Sequence, residues 1–328
     1  MAQGPFPILF ITATRIGDAV LSSGLIRKLA EEVPNARFTI VAGPAAAPLF
    51  LDTPGLSEVI VMEKAKGGRH WIDLWRRVRR RRWGLVVDLR GSALSSFLRR
   101  GRRAVYRRAP GGPVHKVVEA ARVLKIEDDP PAPYLYTSPE TEARAWELVA
   151  GRGPILAMAP AANWVGKTWP AERFAQVARQ LLDDAGHMAG GRLMLLGGPD
   201  DERVVSTLRR SLPRERVIDL AGKADLLTIY AALKHARLFI GNDSGLMHMA
   251  AAAGAPTLGL FGPSDERLYG PWGPNTQVVR GPRDFEQIRE IDPKFQQALC
   301  HMMDLPVETV AAAARDLLAR TEPGTDHA

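Results

Sequence analysis

From Phe239 to Gly254 the chain reads FIGNDSGLMHMAAAAG, a short apolar run that ends in Asn-Asp-Ser-Gly and passes at once into an alanine-rich helical pattern. The first N–H groups of a helix lack intrahelical acceptors and carry the positive end of its dipole, so such a seam suits an anion. Ser244 adds a hydroxyl donor, and Gly245 leaves room for a phosphate to approach the backbone. His248 follows at helical spacing and shares their face. Asp243 is placed to bind sugar hydroxyls or to orient His248. A lone histidine on a helix more often serves packing; in the first turn of an anion site it becomes a ligand contact.

Other polar residues sit directly after apolar runs. Lys167, in APAANWVGKTWPAERF, precedes a helix start at Pro170 and can neutralise a leaving phosphate, although a surface lysine would look the same. Thr12, Thr14 and Gly17 form a loop after the first apolar run, and Asp18 opens the helix behind it. Asp18 is either a helix cap or a general base. Asp201 and Glu202 in GGPDDER suit ribose hydroxyls and equally suit helix capping, and FGPSDERLYGPWGP supplies Ser264 and Asp265. Neither the G-x-G-x-x-G dinucleotide fingerprint nor a Walker motif is present. No His, Cys or Asp group has metal-ligand spacing, so cationic side chains would take a metal's place.

These residues need elements to hold them. Apolar runs at 8–11, 38–41, 58–61, 85–89, 155–159, 192–197, 216–220, 237–241 and 257–261 alternate with helical patterns such as AVLSSGLIRKLAEEV, HWIDLWRRVRRRR, AERFAQVARQLLDDAG and LLTIYAALKHA. Continuous apolar strands point to parallel sheets covered on both faces, and the alternation points to repeated βαβ units. The segment EDDPPAPYLYTSP, Glu127–Pro139, interrupts the alternation with clustered prolines. The expected fold is therefore α/β, with two doubly wound domains at 1–137 and 138–328. In such sheets ligands lie beyond the carboxyl ends of the strands, where the residues above fall.

The single cysteine, Cys300, excludes an intrachain disulfide framework, and the N-terminal stretch lacks a secretory pattern, so the expected compartment is the cytoplasm. The net charge of +8 is uneven. Residues 1–137 carry 23 basic and 12 acidic residues, the remainder 21 and 24. Arg76–Arg108 alone holds 13 arginines against one acid, Asp88. Such a patch serves nucleic acid, an anionic membrane, a phosphorylated substrate, or only solvation.

RIGDAVLSSGLIRKL, VVDLRGS, NWVGKTWPAERF, GGPDDE and GNDSGLMHMAAAAGAPTLGLFGPSD, taken together, resemble glycosyltransferase family 9, the lipopolysaccharide heptosyltransferase family. The resemblance covers nearly the whole chain. It implies a GT-B fold of two Rossmann-like domains facing a central cleft, acceptor in the first and nucleotide-sugar in the second. It also implies inverting transfer without a metal or other cofactor, from a nucleotide-sugar donor such as ADP-heptose to a lipid-linked lipopolysaccharide core oligosaccharide. By motif, Asp18 is the base and Lys167 the phosphate lysine. Donor contacts fall on Lys167, Asp243, Ser244, Gly245 and His248, with Asp201, Glu202 and Asp265 beside them. Acceptor contacts fall on Thr14, Arg15, Gly17, Arg90 and Ser92. The tail ALCHMMDLPVETVAAAARDLL resembles the family's closing helix, which packs back on the first domain. Such an enzyme would rest peripherally on the cytoplasmic face of the inner membrane. The alternative readings are a GT-B transferase using a UDP- or GDP-sugar for another surface glycan and, behind it, a GT-B epimerase of a nucleotide sugar. Nucleic-acid binding is not expected, because neither aromatic stacking platforms nor a recognised module accompanies the arginines.

Overall fold

A computed structural model describes residues 4–108, 112–295 and 299–322. The chain divides into two compact units, Met1–Ser138 and Pro139–Ala328. In the first, β1 (Phe6–Ile11), α1 (Ile16–Leu21), α2 (Gly24–Glu32), β2 (Ala36–Ala42), β3 (Leu56–Val61), α3 (Arg69–Val78), β4 (Trp83–Asp88), β5 (Arg100–Val105) and α4 (Lys116–Ala121) follow in order. Its strands form one parallel sheet ordered β3-β2-β1-β4-β5. Ile8, Leu9, Phe10 and Ile11 of β1 are fully buried, as expected of a strand covered on both faces.

The second unit runs α5 (Pro139–Val149), β6 (Ile155–Ala159), α6 (Ala171–Leu182), β7 (Arg192–Leu195), α7 (Glu202–Arg209), β8 (Val217–Asp219), α8 (Leu226–Leu233) and β9 (Leu238–Asn242). It continues with α9 (Gly245–Ala252), β10 (Thr257–Phe261), α10 (Glu266–Tyr269), β11 (Thr276–Arg280), α11 (Phe285–Ile291) and α12 (Val307–Arg320). The parallel sheet here is ordered β11-β10-β9-β6-β7-β8. The strand order reverses between β1 and β4 in the first sheet and between β6 and β9 in the second. Those are the switch points of doubly wound sheets, where adjacent loops diverge and leave a ligand crevice.

One element departs from the sequence reading. The pattern AVLSSGLIRKLAEEV is not one helix but two, broken at Ser22 and Ser23. The Ser22 and Ser23 hydroxyls donate to the carbonyls of Ala19 and Val20, competing with the helical ladder. Gly24 then lets the backbone of Pro131 and Ala132 pass so close that a Cβ would lie 2.4 Å from their carbonyl oxygens. In the closing helix, Val310, Ala311, Ala314 and Leu317 are fully buried within the core of the second unit, with α6. Among the described residues, no helix is long and apolar enough to cross a membrane.

Candidate active site

The second switch point gathers the residues from the opening motif. β6 and β9 end in register, with Ala159 opposite Gly241. The chain leaving β6 makes a 3-10 turn at Val165–Lys167, and the chain leaving β9 enters α9. Lys167 donates from Nζ to Asp243 Oδ2 at 2.5 Å, closing an ion pair whose carboxylate side is only 7% exposed. His248 Nε2 lies 3.9 Å from the other oxygen of Asp243, too far for a hydrogen bond.

Ser244 is the N-cap residue of α9, yet its side chain makes no cap bond. Its Oγ is buried without a protein hydrogen-bond partner. A serine at this position ordinarily accepts from the first-turn N–H groups. The preceding residue, Asp243, holds the Lys167 ammonium. Gly245 is the first residue of the helix and carries no side chain.

The lysine loop is held from behind. Gly166 is buried beneath the ring of Trp164, which leaves no space for a Cβ, the gap being 2.5 Å. The Gly166 carbonyl accepts the His301 N–H at 3.2 Å, and Cys300 Sγ lies 3.1 Å from the Thr168 carbonyl. Asn242, fully buried at the end of β9, clamps the same loop from the other side. Its Oδ1 accepts the Trp169 N–H at 3.1 Å, and its Nδ2 donates to the Pro160 carbonyl at 2.7 Å. Sequence reasoning passed over Asn242. The available signal was an amide at the end of an otherwise apolar strand, in FIGND.

The remaining acidic residues expected at the donor are engaged locally. Asp201 Oδ2 accepts the Gly198 N–H at 2.7 Å, which is a capping role. Glu202 is forked by Arg209 at 2.5 and 3.0 Å, and that guanidinium pulls its carboxyl below the ordinary value. Asp265 caps α10 through the Arg267 N–H at 3.0 Å and receives the Arg267 guanidinium on both oxygens at 2.8 Å. The same guanidinium lowers its carboxyl, against the effect of burial.

In the first unit, the Thr12–Asp18 loop and the Arg90–Ser92 loop leave neighbouring strands, β1 and β4, with Ile11 opposite Asp88. Asp18 is a partly buried residue in the first turn of α1, whose N-cap is Arg15. Thr14 and Gly17 are partly buried beside it and Arg15 is exposed. Thr12 is buried and shares a 2.9 Å hydrogen bond with Ser22, which ties the loop to the far end of α1. Asp88 organises the other loop. It accepts the backbone N–H groups of Arg90 and Ser92 at 2.9 Å each, and the Ser92 hydroxyl as well. Burial pushes its carboxyl up, outweighing those donors. Ser92 thus spends its hydroxyl within the loop, while the Arg90 guanidinium lies 5.0 Å over the Trp71 ring.

The geometry agrees with comparisons to known proteins. The model of "Glycosyltransferase family 9 (heptosyltransferase)" matches residues 114–297. Lipooligosaccharide heptosyltransferase 2 of Haemophilus influenzae is 27% identical, over 95% of this chain and 99% of its own length. A solved family 9 glycosyltransferase from Veillonella parvula superposes with a TM-score of 0.77 at 22% identity, covering 98% of this chain and 99% of its own. The structure described as E. coli ADP-heptose lps heptosyltransferase II gives 0.73 at 22% identity, covering 97% of this chain and all of its own. Those last two likenesses concern the fold, two Rossmann-like units of the GT-B class. The family match spans more than half of the sequence, and the chain belongs to glycosyltransferase family 9.

Proposed function

We propose that this glycosyltransferase moves a heptose from ADP-heptose to a lipopolysaccharide core acceptor, inverting the anomeric centre and using no metal ion. The observation that carries the reading is the buried, unpartnered Ser244 hydroxyl at the start of α9, beside the Lys167 ammonium. A diphosphate needs such a set: a cation, a hydroxyl donor and first-turn N–H groups. The relatives' names support heptose as the sugar and ADP as its carrier.

In this reading the acceptor hydroxyl attacks the anomeric carbon from the face opposite the diphosphate. Asp18 takes the hydroxyl proton as the new C–O bond forms. The bond from the anomeric carbon to the phosphate oxygen breaks, and ADP leaves with the electron pair. Lys167, the Ser244 hydroxyl and the first-turn N–H groups of α9 meet the charge that grows on the leaving oxygen. His248, whose Nε2 lies 3.9 Å from Asp243 Oδ1, stands on the first turns of the same helix. The Asp88-ordered loop and the Thr14–Gly17 loop present the acceptor. Because that acceptor is lipid-linked, the enzyme works as a peripheral protein at the cytoplasmic face of the inner membrane.

A thermal-shift screen with ADP, UDP, GDP and their sugars tests the donor, since a native-state ligand at 100 times its Kd stabilises by about 2.7 kcal/mol. ADP and ADP-heptose should stabilise most, and transfer to a core acceptor should persist in EDTA with an inverted anomeric configuration. Selective stabilisation by UDP or GDP, or strict dependence on Mg²⁺, would overturn the proposal.

A further inference from the structure

The first unit carries an apolar groove alongside the loop proposed to present the acceptor. It runs between α3 and the turn after Asp88, with a volume of about 440 Å³, and is lined by Trp71, Ile72, Trp75, Ala93, Leu94 and Phe97. Its one polar side chain, Ser92, is turned to Asp88. Leu74 and Val78 anchor α3 in the core beneath, while Ile72 is 51% and Phe97 71% exposed. Trp75 Nε1 donates to the Phe97 carbonyl at 3.2 Å, which holds helix and turn together as one surface.

Charge brackets this groove. The Arg79 guanidinium stands 4.8 Å over the Trp75 ring and the Arg90 guanidinium 5.0 Å over the Trp71 ring. None of the lining residues is acidic. Exposed Arg80, Arg81 and Arg82 continue the positive charge past the end of α3. Exposed aliphatic and aromatic side chains, indole rings capped by guanidinium groups and a basic margin are the complement of an anionic lipid interface. Nucleic acid would leave Ile72 and Phe97 unexplained.

We propose that this groove docks the enzyme on an anionic bilayer, with Ile72 and Phe97 entering the acyl boundary while Arg79 and Arg80 hold lipid phosphates. The inference rests on the lipid-linked acceptor proposed above, but it is read without any acceptor. Full-length protein is sedimented with vesicles of phosphatidylcholine containing phosphatidylglycerol, and with vesicles of phosphatidylcholine alone, at low and high salt. Wild type should bind the anionic vesicles and release with salt. Ile72→Ser/Phe97→Ser should lower partitioning on the order of tenfold or more, the scale of burying large apolar side chains. Arg79→Gln/Arg80→Gln should lower it by about fivefold per charge. Both exposed-site variants should keep the wild-type thermal midpoint.

Equal partitioning of wild type and Ile72→Ser/Phe97→Ser would overturn the proposal. So would a solution dimer that this variant converts to monomer, because the groove would then belong to a second copy. Transfer to a deacylated, water-soluble acceptor should be unaffected in the variant. If wild type transfers no sugar while vesicle binding depends on Ile72 and Phe97, the functional reading fails and the docking surface stands.

Discussion

Lys167 Nζ and Asp243 Oδ2 lie 2.5 Å apart, joining the loop after β6 to the loop after β9 across the switch point of the second sheet. The pair ties the ammonium to the residue before the N-cap of α9. A diphosphate arriving there competes with Asp243 for the same cation. Lys167→Ala should therefore weaken nucleoside-diphosphate binding and slow turnover on the order of 10²–10³-fold, the loss typical of one charge-stabilising donor. Asp243→Asn should leave diphosphate affinity no weaker while still lowering turnover, because a competitor for Lys167 is removed along with a carboxylate that faces His248. Calorimetric affinity set against initial rates separates the two variants. A parallel loss of affinity in both would mean that the pair acts only as a structural clasp.

Ser244 offers a test that distinguishes a ligand contact from a cap. Replacing a capping serine with alanine typically costs about 1 kcal/mol of stability. Ser244 makes no cap bond, so Ser244→Ala should leave the unfolding midpoint nearly unchanged. Diphosphate affinity should fall about tenfold or more, as expected for a hydrogen bond to a charged group. A destabilised variant with wild-type affinity would return Ser244 to an ordinary capping role.

How much of this was legible depended on where the physical signal lay. Strands such as ILFI and TLGLF stand out because both faces of a central parallel strand are covered. RGRRAV and TQVVR, which form β5 and β11, were passed over because each lies at a sheet edge, largely half-buried or exposed, and lacks that apolar run. Lys167, Asp243 and Ser244 were legible as polar residues that follow apolar strands. Their pairing was not, because Lys167 and Asp243 are 76 residues apart and meet only through the strand order. The clamp made by Asn242 was not legible for the same reason, since its two backbone partners lie 73 and 82 residues away. Asp201, Glu202 and Asp265 show the converse. An acid near a helix start reads alike as cap or ligand, and the structure adds the local donors that each of the three engages.

Asp18 occupies the first turn of α1 while Arg15 holds the N-cap position. A carboxylate in a first turn contributes only modestly to a helix, so its removal should cost little stability. Asp18→Asn keeps the shape and removes the proposed base. Turnover should drop on the order of 10²–10⁴-fold. Donor affinity should hold, since Lys167, Ser244 and α9 are untouched. Near-wild-type turnover, measured with saturating donor, would sink the assignment of Asp18 as the base.

Asp265 should behave as a cap and ion-pair partner, and its pH dependence should say so. The Arg267 guanidinium holds the native carboxyl below its ordinary value of 3.8. The unfolded chain therefore takes up this proton first as the pH falls. Stability from the pair is present above 3.8 and is lost as the pH drops through the depressed native value. Asp265→Asn retains a good N-cap residue but breaks the charge pair. The variant should be less stable than wild type near pH 7, and the gap should close towards pH 3. The effect should be modest, because Arg267 is 63% exposed and solvent screens the pair. Denaturant unfolding at the two pH values measures the gap. Donor affinity at neutral pH should match wild type, since both Asp265 oxygens already serve Arg267. A large affinity loss with no pH-dependent stability gap would restore Asp265 to the donor site.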